Sequence, residues 1–377
     1  MKIFTLYTFC VIFLIMLLLT PVIHASETIK VAVIFAKTGE AAAPNILYFY
    51  SARFAVDEIN RKGGLLGKPV ELIEIDSQST ALGSKAAAEQ AVKEGVTAVV
   101  GGSRSSFAMS MAPVLQAAHI PMISPTATIK ELTLTGDYIF RVCLVDDFQG
   151  EVMATFAIKD LKAKTAVVLT NTGNKYSMGL AKVFMEKYVK AGGKVLMEGE
   201  YLENVTDFPA LLARVKQLNP QAVFIPGYSK DAGFIINTAK EMGIRTQFLG
   251  GDGWSEEQIC QYAGNAVEGS YSCSYWNKHN PDKFYRKSME NFEKDYGRIT
   301  SQAVPLTYDS FMLLADAIRR ANSFDPAKIR DALASTKGFK GVSGDITFDG
   351  NGNPKNKSAV ILKYKKGTTV YVKTFKP

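Results

Sequence analysis

The sequence predicts an α/β protein in which two doubly wound parallel sheets form two lobes. Short apolar runs of strand length alternate with segments of helical periodicity, and this alternation occurs in two successive series. Such alternation is typical of parallel sheets with helices on both faces. No linker composition separates the two series. We therefore expect the chain to cross between the lobes several times and to form a multi-crossing hinge.

The first series occupies the first third of the chain and predicts the first lobe. Its strands are predicted over residues 29–35, 70–75, 96–100 and 120–123, and its helices over residues 46–59, 84–92 and 103–118. Glycine pairs and polar turns end these segments, as Gly63-Gly64 does after the first helix. A strand over residues 138–142 leads out of the series.

The second series predicts the second lobe, and the pattern changes after it. Its strands are predicted over residues 166–169, 194–198, 222–225, 247–249 and 267–272, with intervening helices that begin at 146, 176, 208, 230 and 256. Helices without intervening strands follow over residues 281–296, 304–321 and 326–334, and strands over residues 345–348, 359–364 and 369–375 close the chain. We expect the late helices to return to the first lobe. The predicted lobes are 27–145 with 277–353, and 146–276 with 354–377.

The N-terminal segment predicts a secretory signal that is removed from the mature protein. Lys2 precedes an almost unbroken apolar run from Ile3 to Leu19, and the small residue Ala25 follows. A basic start, an apolar centre and a small residue at the end are the parts of a signal peptide. We expect cleavage after Ala25 and a location in the periplasm.

Charge and cysteine usage limit the classes of partner. The net charge is +8, but charges of both signs are mixed along the chain, which argues against a nucleic-acid partner. An exported protein meets an oxidising compartment, so one disulfide is possible, and Cys260 with Cys273 is the preferred pair. The alternative is that the cysteines are buried thiols. The histidines lie far apart and no Cys-x-x-Cys occurs, so neither a metal site nor a cofactor is expected.

Two polar turns predict an anion site in the first lobe. One follows the third strand and contains Ser105 and Ser106, and the other follows the fourth strand and contains Thr126 and Thr128. Open α/β sheets bind ligands at the carboxyl ends of their strands, and small residues let backbone N–H groups approach an anion. Helix capping and simple turn formation are the alternative roles. Because the two turns are adjacent, they favour a binding site.

Three turns of the second lobe place aromatic and acidic residues at strand ends. Tyr176, Tyr228 and Asp252 each follow a predicted strand. Together with the first-lobe turns they suit a zwitterion, because hydroxyls and N–H groups hold a carboxylate and Asp252 holds an ammonium group. No nucleophile elbow, phosphate-binding loop or dinucleotide fingerprint occurs, which favours a binding protein over an enzyme.

Several motifs resemble those of the type I periplasmic binding proteins of the leucine/isoleucine/valine class, the solute receptors of branched-chain amino acid ABC importers. The likeness covers Glu27 to Pro377 and lies in the order and spacing of its markers. These markers are Ile29-Lys30-Val31-Ala32-Val33, Ala55-Val56-Asp57-Glu58-Ile59-Asn60 with Gly63-Gly64, Ile123-Ser124-Pro125-Thr126-Ala127-Thr128 with Glu131-Leu132-Thr133, Phe140-Arg141, Asp147-Phe148-Gln149-Gly150 and Tyr308-Asp309.

The resemblance implies roles for four positions around the ligand's head group. It implies that Ser105 and Thr128 hold the carboxylate, and that the backbone carbonyl of Thr126 and the acid at Asp252 hold the ammonium group. Asp252 stands where leucine-type members have Glu, so its arm is shorter.

The resemblance also implies that Tyr176 and Tyr228 close over the ligand, and here two departures occur. An aromatic residue that covers the ligand side chain in leucine-type members is replaced by Pro44, with Tyr48 one turn later. Arg104 stands where those members have a disulfide cysteine, and it can reach an acidic group or lie on a solvated rim. The amino-acid interpretation is therefore stronger than the leucine interpretation.

The expected function is that of an exported, monomeric receptor that closes on a small amino acid with an apolar or aromatic side chain and presents it to a membrane ABC permease. Alternatives that remain open are a receptor for another small carboxylate such as an aromatic acid, an amide sensor, an exported hydrolase, and a sensor module with a separate signalling partner.

Overall fold

The computed structural model describes residues 28–202, 205–276, 278, 283–355 and 357–377. The predicted signal peptide and its cleavage site after Ala25 lie outside the described residues. The described chain forms a five-stranded sheet, a seven-stranded sheet and a small three-stranded sheet, flanked by helices. Within that part of the chain, every helix is too short or too polar to cross a membrane.

The first lobe contains the five-stranded sheet, in which all strands are parallel. Its strands are β1 (Ile29–Phe35), β2 (Val70–Asp76), β3 (Ala98–Gly101), β4 (Met122–Ser124) and β5 (Ile139–Arg141). The helices between them are α1 (Ala42–Arg61), α2 (Ala81–Lys93) and α3 (Ser105–Ala117). The spatial order β2-β1-β3-β4-β5 makes β3 and β4 neighbours, so their polar turns leave the sheet side by side, as the sequence predicts.

The apolar sequence of β1 explains why helices cover both faces of this sheet. Val31, Val33 and Phe35 pack into the core on one face, whereas Ala32 and Ile34 pack into a separate core on the other. Successive side chains of a strand point to opposite faces, so the five consecutive apolar residues Val31 to Phe35 need cover on both sides. The helices provide this cover.

The second lobe contains the seven-stranded sheet. Its strands are β6 (Thr165–Asn171), β7 (Lys194–Tyr201), β8 (Ala222–Ile225), β9 (Gln247–Gly250), β10 (Tyr271–Ser274), β14 (Ala359–Lys365) and β15 (Thr368–Phe375). Its helices are α4 (Asp146–Thr155), α5 (Lys175–Lys190), α6 (Pro209–Leu218), α7 (Ser229–Glu241) and α8 (Glu256–Ala263). The order is β15-β14-β10-β9-β8-β6-β7, and β14 and β15 are antiparallel to their neighbours.

The strand predicted over residues 267–272 is displaced in the structure. A 3-10 helix spans Gly264–Val267, and β10 begins only at Tyr271. Between them the chain turns at Gly269, whose φ is +84° and whose N–H donates to the carbonyl of Tyr364. Glycine permits this backbone conformation without a Cβ clash, so the turn replaces the first half of the predicted strand.

The late helices return to the first lobe. They are α9 (Lys283–Tyr296), α10 (Ala303–Ala321) and α11 (Pro326–Ala334), and the three-stranded sheet of β11 (Phe339–Gly341), β12 (Gly344–Phe348) and β13 (Pro354–Lys355) follows them. The Ser51 hydroxyl of α1 donates to the carbonyl of Val304 at 2.7 Å, and the Tyr308 hydroxyl donates to Glu58 at 2.9 Å. Over the described residues, the chain therefore passes between the two large sheets three times: between β5 and β6, between β10 and α10, and between β13 and β14.

A buried polar cluster fixes the last crossing. The Asp309 carboxylate of α10 accepts hydrogen bonds from the backbone N–H groups of Val342 and Ser343 at 2.7 and 2.8 Å. The Lys357 ammonium donates to the Ser343 hydroxyl at 2.8 Å. Burial lowers the pKa of Lys357 to about 8, and the nearby Asp309 charge opposes that shift. A buried charge needs such partners, so the cluster holds this segment in one position.

The preferred disulfide between Cys260 and Cys273 is wrong, because Cys143, Cys260 and Cys273 are all free thiols in the structure. Cys273 lies on β10 and packs into the core on one face of the second sheet. Cys260 lies on α8 and packs against the core on the other face. The sheet itself therefore separates the two sulfur atoms. This separation follows from the alternation of side chains along a strand, and the spacing of the cysteines in the sequence does not reveal it.

Candidate functional site

The turn after β3 brings backbone and hydroxyl groups to the edge of the first sheet. Gly102 has a φ of +78°, and a Cβ there would lie 2.6 Å from the Ala108 Cβ atom. Only glycine fits this close approach of strand and helix. The Ser103 hydroxyl donates to the Asn45 side-chain oxygen at 2.8 Å, and α3 begins at Ser105.

The turn after β4 lies against the first one and is joined to it by hydrogen bonds. The Thr126 hydroxyl donates to the carbonyl of Ser103 at 3.1 Å, and it lies 3.0 Å from the Tyr48 hydroxyl. Because Thr126 uses its single hydrogen on Ser103, Tyr48 is the donor to Thr126. The Ser105 oxygen accepts from the backbone N–H of Ile129 at 3.4 Å. Among the described residues no group accepts the hydrogen of the Ser105 hydroxyl, which leaves it free to donate.

The buried Arg141 holds the second turn from behind. Its guanidinium donates to the carbonyls of Ala127 and Ile129 at 2.9 and 2.7 Å. The side chain is fully buried, and burial lowers the pKa of this guanidinium. The Phe140-Arg141 marker that carries the sequence resemblance therefore shapes the 126–129 turn and does not itself line the cleft.

The second lobe presents two tyrosines and an acid to the same cleft. The rings of Tyr176 and Tyr228 stack with centroids 5.3 Å apart. The backbone N–H of Gly253, which follows Asp252, donates to the Tyr176 hydroxyl at 3.0 Å. A Cβ on Gly253 would lie 2.6 Å from the carbonyl oxygen of Gly227, so the turn that carries Asp252 also depends on a close backbone approach.

The Asp252 carboxylate is half-buried and held by two amide side chains. Gln149 Nε2 donates to its Oδ1 at 2.9 Å, and Gln302 Nε2 donates to the carbonyl of Asp252 at 2.9 Å. Burial raises the pKa of Asp252, and hydrogen bonds from Tyr275 and Gln149 oppose the shift. A desolvated carboxylate in a cleft is a natural counter-ion for a cationic group, because ion pairing restores the charge stabilisation lost on burial.

These two surfaces enclose a cavity of about 390 Å³. This volume lies within the range of small-molecule sites. The predicted residues that line it are Tyr48, Arg104, Ser105, Thr126, Tyr176, Tyr228 and Asp252. Ser106 and Thr128 do not line it. Ser106 lies on the next position of α3, half-buried, and its carbonyl accepts from the Ser110 hydroxyl.

Thr128 lies behind the cavity with Asp146. The Thr128 hydroxyl and both Asp146 carboxylate oxygens are buried and lack a partner of hydrogen-bond geometry among the described residues. Burial and the Asp252 carboxylate raise the pKa of Asp146 to about 8. An unpaired buried carboxylate is costly in its charged form, so Asp146 takes up a proton near neutral pH.

Arg104 joins the two lobes across the cleft. Its guanidinium carbon lies 4.3 Å from the centroid of the Tyr228 ring, and its Nη1 lies 2.5 Å from the Glu40 carboxylate. Lys230 of the second lobe lies 3.8 Å from the other oxygen of Glu40. The walls of the cleft are therefore in contact in this structure. In this structure the acidic group beside Arg104 is the protein's own Glu40.

Other lining residues were not predicted from the sequence. Asn45, Gln258, Gln261, Arg298, Thr300 and Gln302 also line the cavity. They lie in α1, in α8 and in the segment before α10, none of which is a turn at a strand end. Gln149 belongs to the Asp147-Phe148-Gln149-Gly150 marker, so that marker was a usable signal for the residue that holds Asp252.

The site has the chemistry of noncovalent binding. Its lining offers hydroxyl groups, amides, aromatic rings and a carboxylate around an enclosed space. Over the described residues, no group of three or more His, Cys, Asp or Glu side chains is arranged to hold a metal ion.

Comparisons with known proteins agree with this geometry. The family model described as "Periplasmic binding protein" matches residues 28–369. A leucine-, isoleucine-, valine-, threonine- and alanine-binding protein of Pseudomonas aeruginosa is 28% identical over 346 residues, covering 92% of each chain.

Two solved structures are similar in sequence and in fold. A leucine-binding protein of Thermotoga maritima is 33% identical, with a TM-score of 0.89, and the alignment covers 93% of this chain and 99% of that one. A branched-chain amino acid transporter substrate-binding protein of Streptococcus pneumoniae, solved with isoleucine, is 32% identical, with a TM-score of 0.88 and coverage of 93% and 100%. The chain therefore belongs to the periplasmic binding protein family, in the leucine/isoleucine/valine-binding class that its sequence resembles.

Proposed function

We propose that the protein is an exported receptor that binds a small amino acid between its two lobes and delivers it to a membrane ABC permease. The observation that carries this proposal is that one cavity contains both a free hydroxyl donor at Ser105 and a carboxylate at Asp252. A donor and an acid on opposite walls complement a carboxylate and an ammonium group on one ligand. The names of the relatives, which bind branched-chain and other small amino acids, support the same ligand class.

In this proposal each wall has its own task. Ser105 donates to the ligand's carboxylate, while the Thr126 carbonyl and Asp252 hold the ammonium group. Tyr176 and Tyr228 cover the ligand from the second lobe, and Tyr48 and Arg104 border it. Thr128 supports the 126–129 turn, and Ser106 stays outside the site.

The proposal also contains the parts of the sequence prediction that concern the whole molecule. The lobes are 27–145 with 277–353 and 146–276 with 354–377, the signal peptide is cleaved after Ala25, and the receptor acts as a monomer in the periplasm. Closure around the ligand presents a joined surface to the permease, and the ligand's preference for the closed form supplies the free energy.

The experiment is titration calorimetry with a panel of L-amino acids on the wild type and on Asp252→Asn. This substitution keeps the shape of the side chain and removes its charge. Hydrogen bonds to charged groups contribute about 1.5–3 kcal/mol, so amino-acid affinity should fall about tenfold or more. Asp207→Asn, at an exposed acid outside the cavity, is the matched control and should leave affinity unchanged.

Benzoate in the same titrations addresses the alternative of an aromatic-acid receptor. Benzoate has a carboxylate and no ammonium group, so Asp252→Asn should not weaken it. If benzoate binds more tightly than any amino acid and Asp252→Asn leaves amino-acid affinity unchanged, the proposed ligand class is wrong.

A further inference from the structure

The cavity continues beyond the amino-acid site into a region that we call the annex. The annex lies between the first turn of α1, helix α8 and the segment 296–302. Its α1 wall is apolar, with Pro44 and Leu47. The opposite wall is polar, with Gln258 and Gln261 of α8 and Thr300. A ligand side chain that enters the annex therefore meets hydrocarbon on one side and hydrogen-bonding groups on the other.

The volume of the cavity exceeds what a leucine needs. A cavity of about 150 Å³ holds benzene, and leucine has roughly one and a half times as many heavy atoms. The cavity here has a volume of about 390 Å³. A leucine would fill little more than half of it and would leave the annex to water.

Among the described residues, the charged groups that line the annex are one cation, Arg298, and one anion, Glu257, and each is engaged within the protein. Arg298 Nη1 lies 3.0 Å from the buried Glu256 carboxylate, which also lies 2.9 Å from the Lys278 ammonium. The exposed Glu257 carboxylate accepts a hydrogen bond from the Thr300 hydroxyl at 2.9 Å. The described lining of the annex therefore has no excess of either sign that would favour an ionised side chain.

Two amide side chains of the annex keep hydrogen-bonding groups without a partner among the described residues. Gln258 accepts a hydrogen bond from the Ser255 hydroxyl at 3.4 Å, and its amide nitrogen has no partner among the residues that the structure describes. Gln261, one turn later on α8, makes no side-chain hydrogen bond within that part of the chain. The amide nitrogen of Gln258 and both ends of the Gln261 amide can therefore pair with a ligand.

We propose that the annex selects amino acids larger than leucine whose side chain has an apolar stem and an uncharged hydrogen-bonding end, with Gln258 and Gln261 as the residues that recognise this end. This inference rests on the proposed function, because the head group must first be held at Ser105 and Asp252. The apolar stem lies along Pro44 and Leu47. A site that hydrogen-bonds the polar end of a ligand strongly rejects an analogue that lacks this end. A hydrocarbon pocket, by contrast, does not strongly reject an analogue that only adds a hydroxyl group.

The test uses two matched ligand pairs and calorimetry on the full mature protein. L-tyrosine differs from L-phenylalanine by one hydroxyl, and L-glutamine is compared with the similarly long but apolar L-norleucine. We expect the polar member of at least one pair to bind about tenfold more tightly than its apolar partner, and more tightly than L-leucine.

The variants Gln258→Leu and Gln261→Leu should reduce this tenfold preference to about twofold or less. Gln217→Leu, at an exposed glutamine of α6 outside the cavity, is the control and should keep the preference. Thermal melting of each variant checks that it is folded.

The outcomes separate the two proposals. If L-leucine and L-norleucine bind as tightly as the polar ligands, and Asp252→Asn weakens them all, the annex proposal is wrong and the amino-acid receptor stands. If no amino acid binds the wild type, both proposals fail together.

Discussion

The two walls of the cleft use different chemistry to face the same cavity. On the first wall, the hydroxyls of Tyr48, Ser103 and Thr126 donate to one another and to backbone or amide oxygens, and Ser105 keeps its hydrogen free. On the second wall, Tyr176 and Tyr228 stack and Asp252 brings a negative charge. The first wall is already hydrogen-bonded and its charged Arg104 is paired with Glu40, whereas the second wall is acidic and aromatic.

This difference indicates how recognition is divided between the lobes. A preformed network of neutral groups changes little when a ligand arrives, so the first lobe orients the ligand's carboxylate through one donor. The acid and the rings of the second lobe gain most when the cleft closes, because desolvation strengthens ion pairing. We therefore expect second-wall substitutions to affect affinity more strongly than first-wall substitutions.

Among substitutions of uncharged residues, Tyr228→Ala is expected to have the largest effect on amino-acid affinity. The substitution removes the ring that stacks on Tyr176 and supports the Arg104 guanidinium. Aromatic pairing contributes about 0.5–1.5 kcal/mol and a partly desolvated cation–π contact about as much again, so amino-acid affinity should fall roughly thirtyfold. Tyr228→Phe keeps the ring and should bind nearly as the wild type does. If calorimetry shows a loss of affinity smaller than threefold for Tyr228→Ala, the second wall does not contribute more to affinity than the first.

A tenfold effect is expected for Ser105→Ala on the first wall. The free hydroxyl donates to a charged carboxylate, and one such hydrogen bond contributes about 1.5 kcal/mol. Amino acids and simple carboxylic acids should weaken alike, because both carry the group that Ser105 holds. Ser106→Ala, which changes the neighbouring serine outside the cavity, is the control. Equal effects of the two substitutions would show that Ser105 acts on the helix and not on the ligand.

A smaller effect is expected for Arg104→Ala, which removes one of the contacts between the walls. The guanidinium lies over the Tyr228 ring and beside Glu40. Loss of a partly exposed cation–π contact costs about 1 kcal/mol, so affinity should fall about fivefold. Small-angle scattering of the ligand-free protein should show a more open molecule. Arg214→Ala, at an exposed arginine of α6, should change neither quantity.

The smallest effect on ligand affinity is expected for Asp146→Asn, which should instead change how the free energy of unfolding depends on pH. Burial and the Asp252 charge raise the pKa of Asp146 to about 8 in the folded protein, against an ordinary value of 3.8. A carboxyl whose folded pKa is raised stabilises the protein at low pH and loses that contribution as pH rises through the folded pKa. The unfolding free energy of the wild type should thus fall between about pH 4 and pH 8 relative to the variant, by on the order of 1 kcal/mol or more.

Urea unfolding of both proteins at several pH values measures this difference. If the unfolding free energies of wild type and variant depend on pH in the same way, Asp146 has the same pKa in the folded and unfolded chain. The Asp252 charge of the second wall would then have no effect on the pKa of Asp146.

The sequence predicted most of the sheet structure and many of the residues that line the cavity. Apolar runs such as β1 need burial on both faces, and turn residues at strand ends gather at one edge, so Ser105, Thr126, Tyr228 and Asp252 were found from local patterns. Pairing between β3 and β4 follows from the same rule. These features depend on residues that are close in the chain.

Features that depend on distant parts of the chain escaped prediction. Thr300 reaches the cavity only because the chain returns to the first lobe, and Gln258 and Gln261 reach it from helix α8, not from a turn at a strand end. Cys260 and Cys273 are thirteen positions apart in the sequence, yet the sheet lies between their cores. Thr128 lies behind the cavity because Arg141 holds its turn, and a spacing pattern does not indicate which side of a turn faces the ligand.

The antiparallel pair β14–β15 has a consequence for how the molecule forms. β14 covers the edge of β10, and Cys273 pairs there with Ile361, which is made much later in synthesis. Until the last segment arrives, the second sheet has an unpaired edge of the kind that recruits other chains. Proteolytic trimming or a premature stop ahead of Ala359 would thus leave this edge unpaired and produce an aggregation-prone species, so the C-terminal hairpin protects the molecule against self-association.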